Sequence, residues 1–468
     1  MTGKGVIVLR NGRLDSCESG LRLAAGVCLW LLCFVCSHGA EVVFRVGGAY
    51  ADITPTNGMP NYNGDGLVPD KDASPLRVEA LVLDDGTSRV AVLSVDCTFV
   101  GGEEVAQIRS ALEKKVGLRP DHICIAATHS HTAPATAKSF LTGALPDTNY
   151  MALLVARSCQ AVEQAQARLK PAQLVAASID APPIGVCRRR IGPTGQAYMT
   201  GTEPDSSFRA ENEIDTRMQY AVFVDADGKP LAAMFNFACH NNMVSRVFSA
   251  DFFGRAAESL REKLGDIAVV RMAAPCGDVA YRQPGGKRTY PDDRAAGRAI
   301  ADAILKSYSS EARRDSGRIV VRSVTRQIPD RPYDPKMLNY DNGRGSSASA
   351  KENFKRRYTP EDAALRERGQ TYCDVEVQAI AFGDVAIVTN PAELFSSFGV
   401  HIRQGSPFPV TFVASLANGY CGYVPAKESF ARGGYETYRT VFTSRLAQDA
   451  GERIERESLE MLRAVRAR

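Results

Sequence analysis

The chain has 468 residues, of which 44% are hydrophobic and 24% are charged, as in an ordinary globular protein that buries a large core. The 57 basic and 53 acidic residues are spread along the chain and give a net charge of +4. This balance argues against sequence-independent binding to a phosphate backbone, so no nucleic-acid partner is predicted.

Residues 1–40 have the pattern of a signal peptide. Basic residues extend to Arg22, an apolar run follows from Leu23 to Cys36, and small residues lead to Ala40. The run is shorter than the roughly 20 apolar residues that a membrane-spanning helix needs. We expect the protein to be secreted or periplasmic after cleavage near Ala40, and membrane-anchored if the segment is not cleaved.

From residue 41 onward, stretches with helical periodicity alternate with short apolar runs typical of buried strands. The predicted elements, in chain order, are a strand at 42–53, a long loop to about 69, a hairpin of 78–83 with 90–95, a helix at 101–115, a strand at 123–127, a helix at 149–169, strands at 174–179, 219–224 and 231–237, a helix at 252–264, a strand at 267–272, a helix at 292–306, a strand at 319–324, a hairpin of 375–381 with 385–389, a strand at 410–415 and a closing helix from about 440. This alternation predicts an α/β fold with mixed β-sheets flanked by helices. No long linker interrupts it, so residues 41–468 are predicted to form a single large domain.

Eight of the twelve cysteines would remain after removal of residues 1–40. None of the eight forms a Cys-x-x-Cys pair, and Cys97, Cys124 and Cys239 lie in or beside apolar runs. We therefore expect most of them to be small buried hydrophobic residues, and their spacing assigns no disulfide.

The motif Thr128-His129-Ser130-His131 follows a predicted strand at its carboxyl end, where α/β proteins build their sites. Residues two apart on an extended segment point to the same side, so His129 and His131 suit a metal ion or a proton-transfer pair. Two hydrogen-bonded histidines at the surface are the alternative interpretation.

Two further predicted strands end in a candidate ligand. His240 follows the apolar run 231–237, and Glu393 follows the run 385–389. The carboxylate of Glu393 could instead interact with the N-terminus of a following helix. For Glu393 alone, the helix interaction is the simpler interpretation.

A fourth predicted strand, 410–415, is followed by a glycine-rich loop that contains Tyr420 and Tyr423. Tyrosines in such a loop usually serve packing. Together, however, the four strand ends offer imidazole, carboxylate and phenol groups. Zinc accepts nitrogen and oxygen ligands, and a catalytic zinc site keeps one position for water, so these residues indicate a metal-dependent hydrolase.

Five short motifs are spaced along nearly all of residues 41–468. In chain order they are Ala51-Asp52-Ile53-Thr54-Pro55, Thr128-His129-Ser130-His131, Phe237-Ala238-Cys239-His240, Asn390-Pro391-Ala392-Glu393-Leu394-Phe395, and Tyr423-Val424-Pro425 with Tyr435-Glu436 twelve positions later. Their order resembles that of the neutral/alkaline, non-lysosomal ceramidases, whose second, third and fourth motifs are Thr-His-Thr-His-Ser-Gly-Pro, Phe-Ala-Val-His and Pro-Gly-Glu-Phe. Each motif is weak alone, but the order is specific.

The resemblance implies a Zn²⁺ ion and an amidohydrolase that acts on ceramide or another N-acylated lipid through zinc-activated water. The positions that match the family's zinc ligands are His129, His240, Glu393 and Tyr423. Three further residues would then be catalytic. His131 could move a proton to the leaving amine, whereas Arg188 and Tyr435, which match a family arginine and tyrosine, could donate hydrogen bonds to the developing oxyanion.

The sequence departs from the family pattern in two places. The family's Gly-Asp-Val-Ser-Pro segment is here Gly277-Asp278-Val279-Ala280-Tyr281, so a serine nucleophile at that position is excluded and a water mechanism is expected. The chain ends soon after the predicted final helix, so no C-terminal β-sandwich is expected. Both departures leave the substrate open.

The arginines Arg188-Arg189-Arg190 form either a solvated loop or an anion contact. Beside a metal site, an anion contact would suit a carboxylate or sulfate, which favours a metal-dependent esterase or lyase acting on an acidic glycan. A second alternative is a non-catalytic secreted binding protein that has kept the metal site. The expected partner is a small-molecule or lipid substrate, with at most transient contact with a membrane surface.

Overall fold

The structure, a computed structural model, describes residues 43–138, 145–202, 205–311, 313–333, 348–369, 371–440 and 443–467. The predicted signal peptide lies outside these residues. From Val43 onward the described chain forms one compact unit. Within the described ranges, no helix combines the length and the apolar character needed to cross a bilayer.

Helices and strands alternate along the chain, as predicted. The helices are α1 (Gly102–Val116), α2 (Thr148–Ala167), α3 (Asp251–Leu264), α4 (Asp293–Tyr308), α5 (Ala348–Glu367), α6 (Ser396–Gly405), α7 (Ser429–Arg432) and α8 (Ala450–Arg466). The strands are β1 (Arg45–Asp52), β2 (Met59–Pro60), β3 (Gly66–Leu67), β4 (Arg77–Asp84), β5 (Arg89–Val95), β6 (Ile123–Ala127), β7 (Lys170–Pro171), β8 (Gln173–Asp180), β9 (Val186–Cys187), β10 (Arg189–Ile191), β11 (Ala197–Met199), β12 (Arg209–Ala210), β13 (Arg217–Val224), β14 (Pro230–Phe237), β15 (Ala268–Ala273), β16 (Val279–Ala280), β17 (Arg313–Arg314), β18 (Ile319–Pro329), β19 (Tyr372–Phe382), β20 (Val385–Thr389), β21 (Glu393–Leu394), β22 (Val410–Ala414) and β23 (Tyr423–Val424).

Three sheets form the framework, with strand orders β6-β5-β4-β1-β7, β15-β14-β13-β8-β17 and β18-β19-β20-β22. Most neighbours are antiparallel, but β5 pairs with β6, β14 with β15, and β20 with β22 in parallel. The sheets are therefore mixed, and the predicted α/β fold in a single domain is confirmed.

A common apolar core joins the three sheets. Val92 of β5, Val270 of β15 and Phe412 of β22 belong to one buried cluster, so residues from all three sheets pack against one another. The other faces are covered by helices, with α2 on β1 and β4 and α8 on β19. Burying each large apolar side chain contributes about 1.5–3 kcal/mol, which makes this core the main source of the framework's stability.

The carboxyl ends of β6, β14, β20 and β22 meet at one place in the molecule. The backbone N–H of Ser415, after β22, donates to Ala273 O of β15 over 2.9 Å. The N–H of Ala127, at the end of β6, donates to Leu416 O over 3.0 Å. These hydrogen bonds between sheets bring together the segments that follow the four strands, and those segments contain the predicted ligands.

The closing helix predicted from about residue 440 is wrong at its start, because α8 begins at Ala450. The described residues just before it pair with the loop around β23. The N–H of Tyr423 donates to Thr443 O, and Gly422 forms a bridge with Ser444. The backbone groups that a longer helix would use are therefore engaged in holding β23.

Helix α6 was not predicted, since Gly399 near its centre weakens the helical pattern. That glycine allows a close approach, because a Cβ added there would lie 2.8 Å from the ring of Pro275. Asp278 stabilises the start of α6 by accepting a hydrogen bond from Ser396 N over 2.7 Å. The helix thus depends on partners distant in sequence.

The cysteines agree with the expectation of small buried residues. All eight in the described part of the chain are free, and all but Cys373 are buried.

Candidate metal centre

The seven site residues predicted from sequence lie close together in the folded chain. His129 and His131 follow β6, His240 follows β14, Glu393 begins β21, Tyr423 begins β23, Arg188 lies between β9 and β10, and Tyr435 lies in a short 3₁₀ turn.

Glu393 and Tyr423 are register partners in the parallel pair β21 and β23. Gly277 packs against this pair, and its N–H donates to Leu394 O over 2.9 Å. A Cβ at Gly277 would collide with the Glu393 carbonyl oxygen, so only glycine allows this approach. The pairing places Glu393 in a strand rather than at a helix N-terminus, and the helix interpretation of Glu393 is wrong.

His129 and His240 are oriented by backbone carbonyls. His129 Nδ1 lies 2.9 Å from Thr98 O, and His240 Nδ1 lies 3.0 Å from Cys276 O. A carbonyl oxygen only accepts, so each Nδ1 carries a proton, and Nε2 is the ring nitrogen left to bind a metal ion. His129 also has a left-handed backbone with φ of 61°, a conformation rare for non-glycine residues and concentrated at functional sites.

Both Nε2 atoms face the same carboxylate oxygen. Glu393 Oε2 lies 3.4 Å from His129 Nε2 and 3.3 Å from His240 Nε2, and Tyr423 Oη lies 3.4 Å from His240 Nε2. Zinc bonds of about 2.0–2.1 Å in a tetrahedron separate neighbouring ligand atoms by about 3.3–3.4 Å. Oε2 is buried and has no hydrogen-bond partner among the described residues. An ionised oxygen left unpaired in this way is costly, so the arrangement fits a cation.

His131 lies at the edge of this cluster. Its Nε2 is 3.5 Å from His129 Nε2, and its carbonyl accepts a hydrogen bond from Asn61 Nδ2 over 3.0 Å. His129, His131 and His240 offer ligand atoms within 4.8 Å of one another, so this histidine group could hold a metal ion.

Burial and neighbouring charges shift the pKa values of His131, His240 and Glu393. Burial, with the Arg188 charge, lowers the pKa of His240 to about 3. Burial and the adjacent His129 lower the pKa of His131 well below its usual value. Burial would raise the pKa of Glu393, but the two imidazoles outweigh it and hold that pKa well below its usual range. These directions leave His240 neutral and Glu393 ionised at pH 7.

Arg188 is buried beside the cluster with one nitrogen free. Its Nε donates to Glu436 Oε1 over 3.0 Å, and its Nη1 lies 2.8 Å from His240 Nε2. Its Nη2 is buried without a hydrogen-bond partner in the described chain. Because Arg188 Nη1 contacts His240 Nε2, a metal ion bound to that nitrogen would have to displace the guanidinium from it. The guanidinium would then present donors toward the same cavity.

Tyr435 and Tyr423 meet through their hydroxyl groups, which are 3.2 Å apart. Burial raises the pKa of Tyr435 above its usual value, although the Arg188 charge lowers it in part. Its hydroxyl is therefore protonated at neutral pH and can donate a hydrogen bond. The Arg188 guanidinium lies 5.1 Å from the centre of the Tyr435 ring, which favours its position over that ring.

The arginine triplet is neither a solvated loop nor an open cationic patch. Arg189 pairs with Glu211 and, over 2.8 Å, with Glu436 Oε2. Arg190 donates to Phe208 O over 2.6 Å. Glu211 and Glu436 thus neutralise the two buried guanidinium groups of Arg188 and Arg189. An anionic substrate would have to compete with both carboxylates.

Sequence reasoning missed the residues that support the candidate ligands. Tyr420 Oη donates to Glu393 Oε1 over 2.9 Å, although tyrosines in this loop were expected to serve packing. The sequence marks Glu436 only as the neighbour of Tyr435 and gives no signal for Thr98. The adjacency of Glu436 to a motif tyrosine was the one available signal, because Thr98 acts through its backbone.

Comparison with solved structures identifies the fold. The structure is similar to a neutral ceramidase from Pseudomonas aeruginosa, with a TM-score of 0.68 and 17% sequence identity over 91% of this chain and 75% of that one. It is also similar to a ceramidase complexed with C2, with a TM-score of 0.67 and 17% identity over 91% and 76% of the two chains. No family model matches the sequence. The chain therefore has a ceramidase-like fold.

Proposed function

We propose that this protein is a zinc-dependent amidohydrolase that hydrolyses the amide bond of an N-acylated lipid such as ceramide. The observation on which the proposal rests is the buried Glu393 Oε2, which lacks a hydrogen-bond partner in the described chain and faces the Nε2 atoms of His129 and His240. The fold shared with two ceramidase structures supports an amide of a lipid as the substrate.

His129, His240, Glu393 and Tyr423 are the residues that would hold the zinc ion. Two neutral imidazoles and one carboxylate form a common donor set for a catalytic zinc ion, and the phenol oxygen lies at a compatible distance. When bound, zinc would polarise the scissile carbonyl and lower the pKa of a water molecule.

His131 is the residue that we assign to proton transfer. Burial and the neighbouring His129 lower its pKa well below the usual value, so its ring is neutral at pH 7 and has one nitrogen free to take a proton from the attacking water. Protonated, it is a strong acid in this environment and would give that proton to the departing amine. A single side chain therefore serves as base and then as acid.

Arg188 and Tyr435 are assigned to the developing negative charge on the carbonyl oxygen. Tyr435 keeps its proton at neutral pH, and Arg188 Nη2 is an unsatisfied, charged donor. Removing one such donor typically slows an acyl-transfer enzyme by about 10²–10³-fold. Together the two groups supply stabilisation that strengthens as the carbonyl becomes an oxyanion.

A water nucleophile fits this chain better than a covalent intermediate. Ala280, where the resemblance expects serine, lies in β16 and pairs with Val186 of β9. Alanine has no nucleophilic atom, so acyl transfer to this residue is excluded. The proposed reaction therefore consumes one water and yields a carboxylate and an amine in a single cycle.

The glycan alternative loses the feature that favoured it, since Glu211 and Glu436 neutralise Arg188 and Arg189. A neutral N-acyl lipid needs no free cationic patch. The amidase proposal is thus the function that the site chemistry supports best.

The test combines elemental analysis with release of fatty acid from a fluorescent short-chain ceramide. Wild type and the control His401→Ala, which alters an exposed histidine of α6, should each contain one zinc per chain and hydrolyse the substrate. His240→Ala should contain no zinc and should not hydrolyse the substrate. Zinc binding without ceramide hydrolysis would reject the lipid substrate, whereas the absence of zinc from wild type would reject the metal site.

A further inference from the structure

Tyr420 connects the carboxylate of Glu393 to the aromatic ring of Phe99. Its hydroxyl donates to Glu393 Oε1 over 2.9 Å. Its ring stacks on Phe99, with ring centroids 3.8 Å apart and planes inclined by 9°. In the proposed mechanism Tyr420 would act through Glu393, the carboxylate that its hydroxyl contacts.

The hydrogen bond determines which carboxylate oxygen faces the histidines. The last torsion of a glutamate side chain is broad and roughly two-fold, so packing alone defines it poorly. With Oε1 bound to Tyr420, the carboxylate plane is fixed, and Oε2 points to His129 and His240. Without that donor, the carboxylate could rotate and present Oε1 or both oxygens.

Phe99 and the residue before it support two candidate ligands from one short segment. Thr98 O accepts the hydrogen bond that orients His129, while the adjacent Phe99 ring holds Tyr420. Thr98 Oγ1 also donates to Ser130 O over 3.0 Å, which ties the segment to the histidine motif. The rings of Phe99 and Tyr62 meet edge to face at 4.5 Å, so Phe99 is itself packed in place.

We propose that Tyr420 is a positioning residue for the metal site, which holds Glu393 Oε2 toward His129 and His240 while Phe99 fixes its ring. This inference rests on the proposed function, because it requires a metal ion bound by the cluster. Partners of this kind, which orient a metal ligand through a hydrogen bond, typically change metal affinity by about 10–100-fold.

Tyr420→Phe is the direct test, because it removes only the hydroxyl and leaves a ring that can stack on Phe99. The measurements are the zinc dissociation constant, from competition with a chromophoric chelator, and the absorption spectrum of the cobalt(II)-substituted protein. We expect zinc binding about 10–100-fold weaker than in wild type and a changed cobalt spectrum. Neither readout depends on turnover.

Tyr150→Phe is the matched control. Tyr150 is also buried, but its hydroxyl has no hydrogen-bond partner among the described residues, and it lies on α2. Its zinc affinity and cobalt spectrum should equal those of wild type. A thermal melt of each metal-free variant separates lost affinity from lost folding, and Tyr420→Phe should melt close to wild type.

A second variant, Phe99→Leu, removes the stacking partner and keeps an apolar side chain. We expect it to weaken zinc binding in the same direction as Tyr420→Phe. Wild-type affinity and an unchanged cobalt spectrum in Tyr420→Phe would overturn the positioning role while leaving the metal site intact. If wild type itself bound neither zinc nor cobalt, the proposed function would fail first, and this inference with it.

Discussion

Glu436 accepts a hydrogen bond from Arg188 over 3.0 Å, and both side chains are almost completely buried. The same carboxylate binds Arg189 through its other oxygen. Arg188 therefore has a fixed orientation at the edge of the candidate site, and the orientation is set by the residue that follows Tyr435. Any change to this carboxylate should affect both folding and catalysis.

The first prediction concerns Glu436→Gln, which keeps the shape of the side chain and removes its charge. Breaking a buried ion pair on one side typically costs about 3–5 kcal/mol, because a charge remains uncompensated. We expect the free energy of unfolding in urea to fall by about this amount and kcat to fall with it. Glu455→Gln, which alters a more exposed partner of His401, should change both by little. Equal stability of the two variants would contradict the prediction.

The second prediction separates metal binding from proton transfer within the histidine cluster. His129→Gln should lose zinc, because His129 Nε2 faces Glu393 Oε2. His131→Gln should retain about one zinc per chain while kcat falls by about 10²–10⁴-fold, the usual contribution of a general acid or base. Elemental analysis and ceramide turnover on the same samples provide the comparison. Zinc loss in His131→Gln would instead make His131 a ligand.

The third prediction is that Tyr435→Phe binds substrate normally but turns it over slowly. The Tyr435 hydroxyl is expected to donate a hydrogen bond to the oxyanion. Removing it should therefore lower kcat by about 10²–10³-fold, with little change in KM. Zinc content should stay at the wild-type level. A variant with a raised KM and unchanged kcat would show that Tyr435 serves substrate binding instead.

The fourth prediction concerns acid stability of the metal-free protein. The folded-state pKa of His240 is about 3, below its ordinary value of 6.5. Between these values the unfolded chain binds a proton that the folded protein does not, so the free energy of unfolding decreases as pH falls from 6.5 toward 3. The difference of about 3.5 between the two pKa values corresponds to about 5 kcal/mol.

The check is urea denaturation of the metal-free wild type and of His240→Gln between pH 7.5 and 3.5. The variant should lose stability less steeply as the pH falls, because it lacks one proton-binding group in the unfolded state. Parallel curves would show that His240 does not contribute to acid sensitivity.

Sequence reasoning recovered the framework because its elements have strong local patterns. The hairpin of β4 with β5 and the strand at Ile123–Ala127 follow from apolar runs bounded by turn residues. Reasoning failed where an element depends on distant partners. The segment before Ala450 pairs with β23 instead of extending α8, and no periodicity reveals that pairing.

The candidate site shows the same division. His129, His240, Glu393 and Tyr423 could be found because each follows an apolar strand and stands in a motif. The residues that support the site, Tyr420 and Glu436, could not be found in this way. Tyr420 lies 27 positions from Glu393 along the chain, and Glu436 lies 248 positions from Arg188. Contacts between residues so far apart in sequence can be identified only from the folded structure.

The parallel pair β21 and β23 has a consequence for how the chain can change in length. Glu393 and Tyr423 are register partners, so their separation is set by two adjacent strands and not by the residues between them. The turn between Gly405 and Val410 joins α6 to β22 within that interval. Insertions in this turn should leave Glu393 and Tyr423 in place, so homologous chains can vary here in loop length while keeping these two residues side by side.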